Sequence, residues 1–235
     1  MKEIILATVF GLVVFIAVYM LLKKRELEAR LRNSMHQMHA ERDRALVAED
    51  QLRQERVLRQ QAEESAKRDP MTGLANRGEL TSQLSALASP LLRRDSEEKR
   101  AGLMQSLAAA MIDADFFKAV NDTYGHDVGD QVLIDIARVL RSVVRDTDLV
   151  ARYGGEEFVV VFPNISAEKL AEVAEEIRAA IEDHEFVNDL LVTVSVGTAH
   201  TRFATTPEKL LKEADLALYD AKKEGRNRVV GRVLT

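Results

Sequence analysis

The stretch RYGGEEFVVVF, residues 152–162, places two glycines and two glutamates directly before an apolar run. Adjacent acids lack helical spacing, and a strand would point them to opposite faces. Gly154 and Gly155 permit the positive φ of a two-residue hairpin turn, and without a Cβ they let the backbone approach a phosphate. The stretch therefore predicts a hairpin that holds Glu156 and Glu157 for metal ions and a nucleotide. Taken alone, GEE is more simply a solvated acidic turn.

A second group of acidic residues favours the metal site over the solvated turn. Residues 106–113 form a short apolar run that ends in Asp113, which predicts a buried strand with an acid at its carboxyl end. If this strand neighbours the hairpin in a sheet, Asp113 and the two glutamates converge. Oxygen ligands without His or Cys favour Mg²⁺ or Mn²⁺ over zinc. Asp115, two residues on, is either a further ligand or a structural carboxylate that bonds nearby backbone.

The composition excludes several other kinds of site. A chain of 235 residues with 46% hydrophobic and 30% charged residues is typical of a folded protein. The net charge of -5 argues against a broad nucleic-acid surface, so no nucleic-acid partner is expected. The absence of cysteine excludes disulfides, thiolate metal sites and cysteine nucleophiles, and five scattered histidines do not indicate zinc.

The N-terminal residues predict a membrane anchor over residues 1–25. Residues 4–22 are apolar and uncharged, and such a helix can cross the roughly 30 Å of a hydrocarbon core. Lys23, Lys24 and Arg25 follow, and the positive-inside rule then places the rest of the chain in the cytoplasm. We expect a single-pass protein of the inner (cytoplasmic) membrane. The alternative is a cleaved signal peptide, although no small-residue cleavage site follows.

Residues 26–68 predict a helical linker, because they are rich in Arg, Glu, Gln and Ala and lack Gly and Pro. An imperfect heptad pattern indicates a parallel coiled coil, and a single solvated helix is the alternative. The heptad positions are Leu27, Leu31, Ser34, Met38, Glu41, Ala45, Ala48, Leu52, Glu55, Arg59, Ala62 and Ala66. Asp69-Pro70 should end this helix.

Residues 69–235 predict one α/β domain with helices packed on a mixed central sheet. Apolar periodicity indicates helices over residues 77–89, 130–145 and 166–183, and a further helix begins at Thr206-Pro207 and ends near Gly225. Residues 89–102 read as a fraying helix end and a loop. Strands are expected at residues 106–113, on both sides of the glycine pair, within residues 190–200 and within residues 226–233.

Four motifs together resemble the GGDEF family of diguanylate cyclases. They are DPMTGLANR, DADFFKAVNDTYGHDVGD, RYGGEEF and AKKEGRN, in that order along residues 69–235. The resemblance implies a fold like the palm of class III nucleotidyl cyclases. It also implies condensation of two GTP into cyclic di-GMP with release of two pyrophosphates.

The resemblance assigns roles to the acidic residues. Asp113, the carbonyl of Ala114 and Glu156 match the metal ligands of the family, and Glu157 matches a ligand of a second ion. Glu156 also matches the proton acceptor, so Glu156 and Glu157 are the expected catalytic residues. In a two-metal site one ion lowers the pKa of the attacking hydroxyl while both neutralise charge on the phosphate.

The resemblance also implies the substrate contacts. Guanine donates from its N1 and N2 edge, and Asn121 and Asp130 occupy the base-reading positions, with His126 at another substrate position. Lys118, Lys222 and Arg226 match phosphate contacts, although each taken alone is more simply a surface charge. The paired phenylalanines Phe116 and Phe117, together with Phe158, are expected to be core anchors.

Arg145 and Asp148 form an RxxD pattern that resembles the product-inhibition site of the family, where cyclic di-GMP binds. The simpler interpretation is a charge pair at a helix end. Arg178 is a candidate for a second arginine of that site.

The expected partners are GTP, cyclic di-GMP, the membrane and a second copy of the chain. Each domain of the family holds one GTP and the product is twofold symmetric, so two domains must meet. Two other functions stay open, a degenerate nucleotide-binding regulator and a membrane scaffold that works through its coiled coil.

Overall fold

The computed structural model describes residues 1–92, 106–202 and 205–234, and inside helices the side chains of residues 2–7, 9, 40, 43, 45, 61, 63 and 90–92 fall outside the description. The chain divides into two compact units, Met1–Ala62 and Glu63–Thr235. The predicted boundaries at residues 25 and 68 stay predictions.

The N-terminal unit is helical throughout, as part of helix α1, Lys2–Ala66. The predicted long helix is therefore confirmed, and α1 ends shortly before Asp69-Pro70. Apolar side chains at the heptad positions Leu27, Leu31 and Met38 are exposed. Coiled-coil pairing stays a prediction. Among the residues with described side chains, no helix is long and apolar enough to cross a membrane. Residues 4–7 and 9 of the predicted span lie outside that set.

The C-terminal unit is built on a five-stranded mixed sheet with strand order β2-β3-β1-β4-β5. Only β4 and β5 run parallel, and the other neighbouring strands are antiparallel. This confirms the mixed sheet expected from the sequence. The strands are β1 Leu107–Ala114, β2 Leu149–Arg152, β3 Glu157–Pro163, β4 Val194–Thr201 and β5 Val229–Leu234.

The helices of this unit are α2 Arg77–Leu92, α3 Phe117–Tyr124, α4 His126–Val143, α5 Ala167–Glu182 and α6 Pro207–Lys223, with a short 3-10 helix at Val187–Asp189. Four of the five agree with the sequence prediction to within a few residues, and α3 was not predicted. The predicted fraying end is helical up to Leu92, and residues 93–102 of that prediction lie outside the described residues.

Strand β1 is buried along its whole length because helices cover both faces of the sheet. Its even-numbered residues, such as Ala110 and Ile112, pack with α4 and α5. Its odd-numbered residues, such as Met111, pack with α2 and α6. Alternation along a strand therefore directs Asp113 to the α6 face of the sheet.

Candidate active site

The sheet brings the predicted acids together at one end of β1 and β3. Asp113 lies directly opposite Glu157 in the antiparallel register, so both side chains project to the same face. The N–H of Ala114 donates to the carbonyl oxygen of Glu156 at 3.3 Å, which continues the pairing beyond the strand. The fold therefore places Asp113 opposite Glu157, with the backbones of Ala114 and Glu156 joined at the same end of the two strands.

The charge at this point is predominantly negative. The Asp113 side chain is only 8% exposed, and Lys222 from α6 places its Nζ 2.8 Å from Asp113 Oδ1. Burial raises the pKa of Asp113; the Lys222 hydrogen bond and charge oppose this, and the nearby Asp115 charge adds to it. Burial, followed by the charge of Asp113, raises the pKa of Glu156. The Asp113 charge therefore repels the Glu156 carboxylate, and a divalent cation would relieve that repulsion.

Among the described residues, no three His, Asp or Glu side chains are grouped so as to hold a metal ion. The donors that do converge are carboxylate and backbone oxygens, which is the donor chemistry that Mg²⁺ and Mn²⁺ prefer. Mg²⁺ usually takes one or two protein carboxylates and completes its coordination with water and substrate phosphate. The residues present therefore fit such an ion together with a phosphate ligand.

The glycine loop has a different conformation from the one predicted. Four residues, Tyr153 to Glu156, connect β2 to β3, and the N–H groups of Tyr153 and Gly154 both donate to the Glu157 carbonyl. Neither Gly154 nor Gly155 has a positive φ, so the predicted two-residue turn is wrong. Space explains the first glycine only. A Cβ on Gly154 would lie 2.7 Å from Glu157 Oε2, whereas a Cβ on Gly155 would meet nothing within 4 Å.

The loop is fastened by an ion pair between residues that are far apart in sequence. Arg152 donates through Nη2 to the carbonyl of Gly155 at 2.7 Å and through Nη1 to Asp69 Oδ1 at 3.2 Å. Burial acts to raise the pKa of Asp69, but hydrogen bonds from Thr72 and the charge of Arg152 lower it below its usual range. The DPMTGL motif thus holds the hairpin in place, a role that the sequence analysis missed.

The residues expected to read guanine lie on α3 and α4. The Asn121 side chain on α3 fills the space beside Gly129, where a Cβ would overlap the amide oxygen. Gly129 directly precedes Asp130, so the glycine lets Asn121 approach the turn of α4 that carries Asp130. Both Asp130 and His126, at the start of α4, are exposed to solvent. The surface around Asn121 therefore offers polar groups to a base.

Asp115 is a structural carboxylate. It is buried, and it accepts hydrogen bonds from Thr193 Oγ1 at 2.8 Å, Ser195 Oγ at 2.7 Å and the N–H of Asn227 at 3.0 Å. These bonds tie the end of β1 to β4 and to the turn after α6. Of the two interpretations left open by the sequence, this geometry favours the structural one.

The RxxD residues lie away from the acids, in the turn between α4 and β2. The N–H of Arg145 donates to Asp148 Oδ2 and the N–H of Asp148 donates to the Arg145 carbonyl, both at 3.0 Å. Burial raises the pKa of Asp148, and the N–H and charge of Arg145 oppose that rise. The two residues line a cavity of about 500 Å³ together with Lys67, Arg68 and Arg141. Glu64, Glu79 and Asp146 line it as well, so basic and acidic side chains are mixed in this cavity.

Arg178 does not line this cavity as the described residues define it. Its guanidinium is held by Glu175 and Glu182 on α5 and by Asn227 Oδ1 at 2.7 Å. The suggestion that Arg178 completes the RxxD site is therefore not supported by its surroundings.

Comparison with known proteins gives the family. Residues 66–228 match the family model described as "Diguanylate cyclase, GGDEF domain". The chain belongs to the GGDEF family. It is 44% identical over 176 residues to the response regulator PleD of Caulobacter vibrioides, covering 72% of this chain and 37% of PleD. It is 37% identical over 179 residues to the diguanylate cyclase DgcM of Escherichia coli, covering 76% of this chain and 42% of DgcM. The chain thus spans less than half the length of these relatives.

Solved GGDEF structures share the fold. The crystal structure of the coiled coil and GGDEF domain of DgcB from Caulobacter crescentus, in complex with c-di-GMP, matches with a TM-score of 0.69 and 31% identity. That match covers 88% of this chain and 99% of the other. Diguanylate cyclase SiaD from Pseudomonas aeruginosa, in complex with its activator SiaC, matches with a TM-score of 0.65 and 33% identity, covering 98% and 87% of the two chains.

Within this GGDEF domain the paired phenylalanines have different surroundings. Phe117 is buried against the core, as expected. Phe116 is 67% exposed and has a φ of 56°, so the prediction that it anchors the core is wrong. The left-handed backbone at Phe116 turns its side chain away from the core before α3 begins. The apolar character of Phe116 does not predict this backbone conformation.

Proposed function

We propose that this chain is a diguanylate cyclase that condenses two GTP into cyclic di-GMP with release of two pyrophosphates. The observation that carries the proposal is the pairing of Asp113 with Glu157 on adjacent strands, beside a glycine loop in which a Cβ on Gly155 would meet nothing within 4 Å. Membership of the GGDEF family and similarity to enzymes named diguanylate cyclases support it.

Asp113, the carbonyl of Ala114, Glu156 and Glu157 would hold Mg²⁺ or Mn²⁺. When bound, the ions supply Lewis-acid stabilisation of charge on the phosphate and lower the pKa of the attacking 3′-hydroxyl. Glu156 is the proposed proton acceptor. Lys222, now paired with Asp113, would exchange that carboxylate for a substrate phosphate when nucleotide enters.

The remaining predicted residues bind and orient GTP. Lys118, Lys222 and Arg226 supply positive charge to the triphosphate, and Gly154 and Gly155 let the loop backbone approach it. Asn121 and Asp130, with His126 nearby, face the guanine edge. A site that must satisfy the donors of guanine rejects adenine, since a buried polar group would stay unpaired.

The product requires two domains, each supplying one nucleotide. A parallel pairing of α1 would tether the domains and raise their effective concentration towards the millimolar range, as short linkers do. Exposed apolar side chains at Leu27, Leu31, Met38 and Leu52 would be covered by that pairing.

We further propose a membrane anchor at residues 4–22, with the catalytic domain in the cytoplasm. Large apolar side chains are exposed along the described part of this segment, among them Phe10, Phe15 and Leu22. Insertion into lipid would remove them from water, and Lys23, Lys24 and Arg25 would stay on the cytoplasmic side.

The direct test of the activity is incubation of the purified full chain with GTP and Mg²⁺, with the product identified by mass spectrometry. Cyclic di-GMP and pyrophosphate are expected in a ratio of one to two. Tight GTP binding without any cyclic product would instead support a degenerate nucleotide-binding regulator.

Replacing Arg145 with alanine should relieve product inhibition. Arg145 lines the cavity beside the turn between α4 and β2, and arginine can pair with phosphate and stack on guanine. We expect the concentration of cyclic di-GMP that halves the activity to rise at least about tenfold, the equivalent of roughly 1.4 kcal/mol. Arg138, an exposed arginine on the preceding helix α4 that does not line the cavity, provides the matched control. Inhibition that is unchanged in Arg145→Ala would refute this assignment.

Inserting one to three residues near Lys67 should change the activity with a helical period. Each insertion rotates the domain about the axis of α1, and the proposed encounter of two active sites depends on that rotation. A seven-residue insertion restores the heptad register and serves as the control. The rate of cyclic di-GMP formation measures the effect, and a flat response to insertion length would rule out this coupling.

A further inference from the structure

Phe116 stands out because an exposed aromatic side chain sits on an unfavourable backbone conformation. Its φ of 56° and ψ of 24° lie in the left-handed region, which is unfavourable for an ordinary L-residue. Its side chain is 67% exposed, so burial in the core does not offset that cost. A strained residue beside a substrate site calls for a functional explanation.

The Phe116 ring lies under the guanidinium of Arg226. The Arg226 Cζ is 4.6 Å from the ring centroid, within the range of a cation–π contact. The nearest carboxylate oxygen, Asp115 Oδ1, is 4.0 Å from Arg226 Nε, at the limit of an ion pair. Within the described residues the guanidinium makes no hydrogen bond. The ring and the Asp115 carboxylate therefore both support the guanidinium.

The backbone of Arg226 is fixed independently. Arg226 and Asn227 have consecutive positive φ angles of 64° and 45°. The N–H of Asn227 donates to Asp115 Oδ2 at 3.0 Å, and Arg178 Nη1 donates to Asn227 Oδ1 at 2.7 Å. The Nε of Arg228 donates to the Arg226 carbonyl at 3.2 Å. These bonds hold the turn, so the ring acts on the side chain alone.

We infer that Phe116 is a positioning residue whose ring orients the Arg226 guanidinium towards the nucleotide phosphates. A ring packed against the guanidinium leaves its N–H donors free for phosphate oxygens, because a cation–π contact uses no hydrogen-bond donor. The inference rests on the proposed function, in which Arg226 contacts the triphosphate. It adds a residue whose side chain acts through Arg226.

The test measures the Kd of a non-hydrolysable GTP analogue with Mg²⁺, and the KM and kcat for GTP, in the full chain. Phe116→Tyr keeps the ring and should resemble the wild type. Phe116→Leu keeps apolar bulk but removes the ring. It should raise both Kd and KM about 2- to 5-fold, because an exposed cation–π contact contributes about that much. The kcat should change less than twofold. Phe116→Asn provides a second control, because asparagine adopts the left-handed conformation more readily. It should bind as weakly as Phe116→Leu while unfolding at the same or a higher temperature.

A double-mutant cycle tests whether Phe116 affects nucleotide binding through Arg226. In an Arg226→Ala background, Phe116→Leu should leave the Kd unchanged. A further rise in Kd in that background, or wild-type affinity in Phe116→Asn, would overturn the inference. Absence of cyclic product from the wild type would contradict the proposed function alone, since the coupling is read from the binding of the analogue.

Discussion

Glu157→Ala should lower the rate of cyclic di-GMP formation by more than about 100-fold while the domain stays folded. Loss of an outer partner of a metal ligand already costs roughly 10- to 100-fold, and Glu157 is proposed as a direct ligand. Its position opposite Asp113 places it where negative charge from two strands accumulates. The side chain is only partly buried, so its removal leaves no large apolar cavity.

The measurements are the steady-state rate with GTP and Mg²⁺ and the thermal unfolding midpoint of each variant. Glu185→Ala, at an exposed glutamate in the loop after α5, is the matched control and should retain the wild-type rate. Retention of more than a tenth of the activity in Glu157→Ala would remove this glutamate from the proposed metal site.

The largest effect on stability is expected from Gly197→Ala. Gly197 lies in β4, where α6 packs directly on the strand. A Cβ there would lie 2.6 Å from Leu218 Cα and closer still to the backbone of Ala214 and Leu218, so α6 itself would have to move. Overpacking of this kind costs about 3 kcal/mol, and because α6 carries Lys222 the activity should fall as well.

Chemical denaturation of Gly197→Ala measures that cost, with Gly155→Ala as the control. A Cβ on Gly155 meets nothing within 4 Å, so its free energy of unfolding should change by less than about 0.5 kcal/mol. Equal stabilities of the two variants would mean that α6 does not pack on β4 as closely as described.

The sequence predicted the elements whose residues carry their own local signal. The apolar period of α4 and α5 predicted which faces are buried, and Thr206 caps α6 by accepting the N–H of Lys209, as the Thr-Pro pair indicated. The short apolar run before Asp113 correctly predicted a buried strand. Convergence of the acids followed from one assumption, the adjacency of β1 and β3.

The features that were not predicted depend on tertiary contacts. Helix α3 has eight residues and a single buried side chain, Phe117, so its apolar period is too short to read. Gly154 keeps space for the Glu157 side chain, and neither loop glycine has a positive φ, which local turn rules do not anticipate. The Arg152–Asp69 pair joins residues 83 positions apart, and no periodic pattern encodes such a contact.

The central claim is that carboxylates from β1 and β3 hold divalent cations beside a nucleoside triphosphate. A crystal structure of the chain soaked with Mn²⁺ and a non-hydrolysable GTP analogue tests it most directly, because Mn²⁺ is located by its anomalous signal. The account predicts Mn²⁺ bound to Asp113 and to a glutamate of the 156–157 pair, with the triphosphate between the glycine loop and Arg226. Mn²⁺ and triphosphate bound elsewhere, with Asp113 still paired to Lys222, would contradict it.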